Sequence, residues 1–235
     1  MSITPSPACT LVPRGSCRAA GDPIRVDQLG VVDYAAARET QRAHAAVRAD
    51  GTGPDVLMLL EHPSIYTAGK RTRPEYKPTD GTPVVDVDRG GEITWHGPGQ
   101  LVGYPIIALR DRLAAAGYVA RLEAALVDVC RRSGVVGAHR ITGRPGVWVP
   151  GRSGQPAAKV AAIGVRMIGN VTQHGFALNC DADLTAFDKI VPCGLVDASV
   201  TSLTVATGRR ITVDDVRELV AHAVVDAVDR DCPDA

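Results

Sequence analysis

The chain has 235 residues, 45% of them hydrophobic, which is enough for one sizeable core in a single domain. Its 26 basic and 26 acidic side chains cancel, which argues against a surface that holds nucleic acid or an anionic membrane. The sequence contains no apolar run of about 20 residues and no secretory signal pattern, so we expect a cytoplasmic protein without a membrane span.

The opening segment is rich in Pro, Ser and Gly, and residues 11–16, LVPRGS, have the spelling of a thrombin-cleavage linker. Nothing in it shows a helix or strand period. We therefore expect residues 1–23 to be a disordered extension or an added linker, and one catalytic domain to span residues 24–230.

The first predicted element is a helix over residues 34–49, capped by Asp33 and ended by Gly51, although its apolar face is weak. The continuous apolar run at residues 56–60 predicts a buried strand. Residues 63–82 carry prolines and charges without a period, and we interpret them as one long loop, a kind of segment that is often functional.

The middle of the chain predicts a sheet, because segments rich in Val, Ile and aromatic residues alternate with glycine turns. The clearest helix covers residues 118–133 and stops at Gly134. A last helix begins at Thr212, whose capping-box partner is Asp215, and ends near Val228. Strands cluster centrally and helices flank them, so the fold class is α+β around a mixed sheet. The predicted strands are residues 83–87, 93–96, 101–109, 147–149, 159–167 and 171–178.

Two glycine turns surround the strand at residues 93–96, in the segment RGGEITWHGPGQ. Glycines let a ligand approach the backbone, and the second turn would aim Trp95 and His96 toward one place. The alternative is two ordinary turns in a β-meander. The glycine spacing fits neither a dinucleotide-binding fingerprint nor a phosphate-binding loop.

Lys159 is one of only four lysines, against 22 arginines, and it lies inside an apolar run. A lysine amine can be tuned to exchange its proton, whereas arginine keeps its own. Strand alternation allows Lys159 to lie on a solvated face. Its small neighbours equally leave room for its side chain to cross a pocket floor, so both interpretations stay open.

The six cysteines are scattered and include no C-x-x-C pair, which suits neither a disulfide framework nor a zinc site. We expect no metal. Cys193, next to glycine in Pro192-Cys193-Gly194, is the candidate nucleophile, and a nearby ammonium would favour its thiolate. A buried, inert thiol is the alternative. A histidine base, His96 or His174, could also serve Cys193, and spacing does not choose between histidine and lysine.

Taken in order, these motifs closely resemble the lipoyl(octanoyl) transferase family, also described as octanoyl-ACP:protein N-octanoyltransferases, which is related to lipoate- and biotin-protein ligases. The resemblance runs from about Ile24 to Val228. It implies a single domain similar to the catalytic domain of those ligases. The segments that carry it are residues 61–63, 89–105, 159–164, 174–179, 192–194 and 200–203.

The resemblance implies a two-step acyl transfer without a cofactor. Cys193 takes an octanoyl group from octanoyl-acyl carrier protein as a thioester, and a lipoyl-domain lysine then attacks it. Lys159 matches the residue that lowers the thiol pKa and relays protons, and His174 is auxiliary. The implied acceptors are lipoyl domains of 2-oxoacid dehydrogenase complexes and the glycine cleavage H protein. The implied acyl-pocket residues are Arg89, Gly90, Gly91, Glu92, Ile93, Thr94, Trp95, His96, Ala162, Ile163, Gly164, Gly175, Phe176 and Ala177.

Two alternatives carry different chemistry. An ATP-dependent lipoate-protein ligase must first form an acyl-adenylate, and a catalytic cysteine has no role there, so the Cys193 motif favours the transferase. A protein that only binds carrier or lipoyl domains would need neither Cys193 nor Lys159, and both are present.

Overall fold

The computed structural model describes residues 16–111, 115–151, 155–190 and 199–229. These residues form eleven strands and four α-helices. The strands are β1 (Arg25–Val31), β2 (Val56–Glu61), β3 (Ile65–Ala68), β4 (Val84–Asp86), β5 (Ile93–His96), β6 (Gln100–Ile106), β7 (His139–Ile141), β8 (Arg144–Val149), β9 (Ala158–Ile168), β10 (Val171–Asn179) and β11 (Ser199–Val200). The helices are α1 (Tyr34–Ala49), α2 (Ala115–Arg132), α3 (Leu203–Thr207) and α4 (Val213–Asp229).

The main sheet has the order β1-β2-β6-β10-β9-β8-β7, and β11 pairs with the beginning of β9. β1 and β2 are parallel, as are β9 and β11, whereas the other neighbours are antiparallel. A second sheet has the order β4-β3-β5. The predicted α+β class with a mixed sheet and flanking helices is confirmed.

The main sheet has a hydrophobic core on each face, as the continuous apolar run in β2 predicts. Leu57 and Leu59 belong to the larger cluster, which also contains the buried residues of α2 and α4. Met58 and Leu60 belong to the cluster that packs against α1. Alternate side chains of a strand point to opposite faces, so both faces of β2 exclude water.

The helix boundaries agree with the capping signals in the sequence. The Asp33 side chain accepts hydrogen bonds from the backbone N–H groups of Ala35 and Ala36 at the start of α1. Asp215 accepts from the N–H of Thr212 at the start of α4, which completes the predicted capping box. The weak apolar face of α1 is a narrow buried stripe of Tyr34, Ala37, Gln41 and Ala45.

The structure corrects the prediction of one long loop over residues 63–82. This segment contains β3, which pairs with both β4 and β5, and a short 3₁₀ helix at Pro74–Tyr76. β1 and β7, at the two edges of the main sheet, were also not predicted. Edge strands bury fewer side chains, and the burial of β1 shows no alternation that would identify it as a strand.

Residues that precede the predicted domain start at residue 24 contact the rest of the fold. Arg18 is 1% exposed, and its guanidinium pairs with Asp55 and Asp229 at 2.7 Å each. The backbone N–H of Cys17 donates to the Val228 carbonyl at 3.2 Å. Residues 16–18 are therefore packed against β2 and the end of α4. No helix in the described ranges combines the length and apolar character that crossing a bilayer requires.

Candidate active site

A cavity of about 410 Å³ opens where α1, the Arg89–Glu92 turn and the central strands β5, β6, β8, β9 and β10 meet. This volume lies in the range of about 300–1,000 Å³ that is usual for small-molecule sites. The structure brings most of the sequence-predicted residues to its walls: Arg89, Gly90, Gly91, Glu92, Thr94, His96, Lys159, Ala162, Ile163, Gly164, His174, Gly175, Phe176 and Ala177.

Two of the predicted pocket residues lie elsewhere. Ile93 and Trp95 are buried in a separate cluster with Phe187, and the Trp95 Nε1–H donates to Ser64 Oγ at 2.9 Å. Alternation along β5 explains this correction, because Thr94 and His96 face the cavity and the residues between and before them face away.

The turn at Arg89–Glu92 forms one rim of the cavity, and the Arg89 side chain holds it in shape. The buried guanidinium donates to the Glu92 carbonyl and the Thr67 carbonyl, both at 2.8 Å. Gly91 has φ +83°, a conformation that other residues rarely adopt. The Gly90 N–H donates to the Val165 carbonyl at 3.1 Å, which ties this rim to β9.

A group of buried aromatic and imidazole rings lies on one side of the cavity. His96 stacks on Tyr34, and its Nδ1–H donates to Gln100 Oε1 at 2.7 Å. Burial, and next the neighbouring His62, lower the pKa of His96 to about 3. His62 in turn accepts from the Tyr104 hydroxyl at 2.8 Å. His96 is therefore neutral near pH 7, and its Nε2 can only accept a hydrogen bond there.

His174 has φ 56°, the only positive φ at a non-glycine residue within the described ranges. Its backbone N–H donates to Gln41 Oε1 and its Nε2–H to Asp88 Oδ1, both at 2.9 Å. Burial, then Arg89 and other arginines, lower the pKa of His174. Strained backbone of this kind concentrates at functional sites. The hydrogen bonds fix the imidazole as a neutral wall of the cavity.

Lys159 is buried, with 8% of its surface exposed, so the solvated-face interpretation is wrong. Its Nζ donates to the Pro145 carbonyl at 3.1 Å and lies 4.7 Å from the centroid of the Trp148 ring. An ammonium has three N–H donors, and within the described part of the chain Nζ has one acceptor. The amine can therefore interact with a group that enters the cavity.

Cys193 lies outside the described residues. Of the cysteines inside them, burial raises the pKa of Cys130 to about 12 and raises that of Cys180 further, so both thiols are inert. Cys17 lies next to Val228, at the end of α4. None of these three lines the cavity.

The elements that flank the segment of Cys193 both border Lys159. β11 pairs Val200 with Lys159, and a small pocket beside the main cavity is lined by Val200, Phe187 and Lys159. Phe187 belongs to the 3₁₀ helix at Leu184–Lys189, which precedes Cys193 in the chain. The described residues before and after this segment therefore lie beside Lys159.

Sequence reasoning missed several cavity residues. Tyr34 and Tyr104 contribute rings from α1 and β6, Arg71 lies at the mouth, and Pro145 supplies the acceptor for Lys159. The one usable signal was for Arg71, which belongs to the segment interpreted as a functional loop. The others are ordinary residues of a helix start and two strands, and only the fold brings them together.

Comparison with known proteins agrees with this geometry. The family described as lipoyl protein ligase A/B catalytic domain matches residues 33–225. A curated octanoyltransferase of Mycolicibacterium smegmatis is 56% identical over 218 residues, which cover 93% of this chain and 95% of that protein. The octanoyltransferase of Mycobacterium tuberculosis (strain ATCC 25177 / H37Ra) is 59% identical over 215 residues, covering 92% and 91%.

Solved structures of similar fold are more distant in sequence. A lipoate-protein ligase A bound with ATP has a TM-score of 0.62 at 16% identity, covering 89% of this chain and 87% of that chain. A bi-partite lipoate protein ligase from Thermoplasma acidophilum, studied with its E2 lipoyl domain, has a TM-score of 0.63 at 14% identity, covering 88% and 84%. At this identity the likeness establishes the fold.

Proposed function

The chain belongs to the lipoyl protein ligase A/B catalytic domain family. From this membership we propose that it transfers an octanoyl group from octanoyl-acyl carrier protein to lipoyl-domain lysines. The group is held in between as a thioester on Cys193. The enzyme is an octanoyl-transferring acyltransferase, as its relatives at 56–60% identity are. We expect the lipoyl domains of 2-oxoacid dehydrogenase complexes and the glycine cleavage H protein to be its acceptors in the cytoplasm.

The single observation that carries the catalytic proposal is the burial of Lys159 at the cavity wall, beside β11, the strand that follows the segment of Cys193 in the chain. An ammonium in such a place stabilises a thiolate. The thiolate of Cys193 attacks the donor thioester carbonyl, the carrier thiol leaves with a proton from Lys159, and octanoyl-Cys193 remains.

The second step reverses the proton movement. The lysine amine of the lipoyl domain attacks the Cys193 thioester, an amide bond forms, and the Cys193 thiolate leaves while Lys159 accepts the amine proton. Thioester exchange is close to balanced and the amide is more stable, so the reaction needs no nucleotide. Ala162, Ile163, Phe176 and Ala177 give the cavity an apolar wall for the acyl chain.

The test of this function is octanoyl transfer to an apo lipoyl domain with and without ATP and Mg²⁺. We expect equal rates with octanoyl-acyl carrier protein as donor, and no transfer from free octanoate under either condition. The readout is the mass of the lipoyl domain over time. A strict requirement for ATP, with free octanoate as the substrate, would instead identify a ligase.

We expect Ala177→Leu to shorten the preferred acyl chain, because Ala177 is 4% exposed and lines the cavity. Overfilling a packed slot costs about 1–3 kcal/mol, which is enough to change which chain length reacts fastest. The matched control is Ala45→Leu, since Ala45 lies in the same hydrophobic cluster but does not line the cavity. The measurement is kcat/KM with acyl donors of six to ten carbons. An unchanged preference in Ala177→Leu would remove this wall from the acyl site.

A further inference from the structure

Glu123 is a buried acid on the mostly apolar buried face of α2. It is 6% exposed and lies beside Leu122 and Leu126, which belong to the main core. Acidic side chains are almost never buried this deeply unless they are paired. Its Oε2 accepts a hydrogen bond from the Arg140 Nε–H at 2.7 Å, on β7.

The other carboxylate oxygen points at the part of β8 that contacts Lys159. Glu123 Oε1 accepts from the backbone N–H of Gly146 at 3.0 Å. The carbonyl of the same peptide unit, that of Pro145, accepts from Lys159 Nζ at 3.1 Å. A single peptide group therefore connects the buried carboxylate to the buried amine.

The backbone of β8 has an unusual conformation at Gly146, which allows this arrangement. Gly146 has φ +127°, and a Cβ there would lie 2.4 Å from the Ala161 carbonyl oxygen. The pairing of β8 with β9 shifts register just after it, between Val147 and Trp148. The Trp148 Nε1–H donates to the Arg144 carbonyl at 3.0 Å, which fixes the ring that lies against Lys159 Nζ.

We propose that Glu123 is a positioning residue for octanoyl transfer. Its carboxylate orients and polarises the Pro145–Gly146 peptide, and this peptide in turn positions the Lys159 amine. Hydrogen bonds in a chain strengthen one another, and an anion on the N–H makes the carbonyl of the same peptide a better acceptor. This hydrogen-bonded peptide thus offsets the cost of burying an ammonium and holds it at the cavity wall. The inference rests on the proposed role of Lys159.

The test uses the isosteric variant Glu123→Gln in the full chain, with Arg140→Gln as the matched control. Both changes break the Glu123–Arg140 ion pair, but only Glu123→Gln removes the negative charge from the Gly146 N–H. We expect kcat to fall about tenfold in Glu123→Gln, equivalent to about 1.4 kcal/mol. KM for the lipoyl domain should stay within about twofold, and Arg140→Gln should keep the wild-type kcat.

A double-mutant cycle with Lys159→Ala separates positioning from general support of the fold. If Glu123 acts through Lys159, Glu123→Gln adds no further loss once the amine is gone. A wild-type kcat in Glu123→Gln, an equal loss in Arg140→Gln, or an undiminished effect of Glu123→Gln in the Lys159→Ala background would each overturn the inference. Wild-type activity of Lys159→Ala alone would instead overturn the proposed role of the amine, so the two failures are distinguishable.

Discussion

Cys193→Ser should abolish capture of the octanoyl group, and its transfer rate should fall by about a thousandfold or more, as when other acyl-transfer enzymes lose their nucleophile. A serine hydroxyl near neutral pH is a far weaker nucleophile than a thiolate. The measurement is intact-protein mass spectrometry after incubation with octanoyl-acyl carrier protein. Wild type should gain one octanoyl group at Cys193 that hydroxylamine removes, and the variant should gain none.

Cys17→Ser is the matched control for this substitution. Cys17 lies away from the cavity, and a serine there can keep the hydrogen bond that its Sγ makes to the Val228 carbonyl at 3.3 Å. This variant should acylate at the wild-type rate. Normal transfer by Cys193→Ser would exclude a thioester at this residue and with it the two-step mechanism.

Lys159→Ala should raise the pH midpoint for alkylation of Cys193 and slow octanoyl transfer. An ammonium at contact distance lowers the pKa of an acidic group by about 1–3 units, so its removal should raise the thiol pKa by a similar amount. Thiolate would then form only at higher pH, and the fraction present near neutrality would fall. The measurement is iodoacetamide labelling of the Cys193 peptide against pH.

Lys159→Arg distinguishes charge from proton transfer. Arginine should keep part of the thiolate stabilisation, yet it holds its proton too firmly to relay it, so transfer should stay slow while the alkylation curve lies nearer to wild type. Lys77→Ala, which removes an exposed lysine paired with Asp86, serves as the control and should match wild type. Coincident alkylation curves for wild type and Lys159→Ala would show that Lys159 does not stabilise the thiolate, and a histidine would then be the candidate base.

Local sequence signals correctly predicted those helices and strands whose ends are marked by residues close by in the sequence. α1 and α4 begin where Asp33 and Thr212 indicated, because a cap is a contact between residues two or three positions apart. β2 was visible because both of its faces are buried, which requires a continuous apolar run. These contacts depend on little beyond the neighbouring sequence.

The strands that sequence reasoning missed depend on distant partners. β1 exposes most of its side chains, and pairing with β2 defines it as a strand. β3 lies among prolines and charges, and it is held between β4 and β5, whose paired residues come 18 to 31 positions later. Neither strand carries the alternation that a half-buried strand needs to be recognised.

Some residues of the candidate site could likewise be predicted from the sequence, whereas others depend on distant parts of the chain. Glycine turns and the scarcity of lysine pointed to one rim of the cavity and to Lys159, and the family resemblance supplied the other predicted wall residues. The face of Lys159 could not be decided from β9 alone. Its burial is set by Pro145 and Trp148 on β8, which only the strand pairing brings beside it. Glu123 gave a signal that was not used, a single acid among the apolar positions of the clearest helix.

The contact of Arg18 with Asp229 brings the two ends of the described chain together, and neither residue lines the cavity. A short peptide could connect residues 229 and 16 directly, and new termini could then open at an exposed turn such as Gly51 without changing the strand order. In a circularly permuted variant the new termini would lie at that turn, just after the first helix, and a reporter could be attached there. The old ends near Arg18 would stay connected. The ends of this fold can thus be moved without changing a residue that lines the cavity.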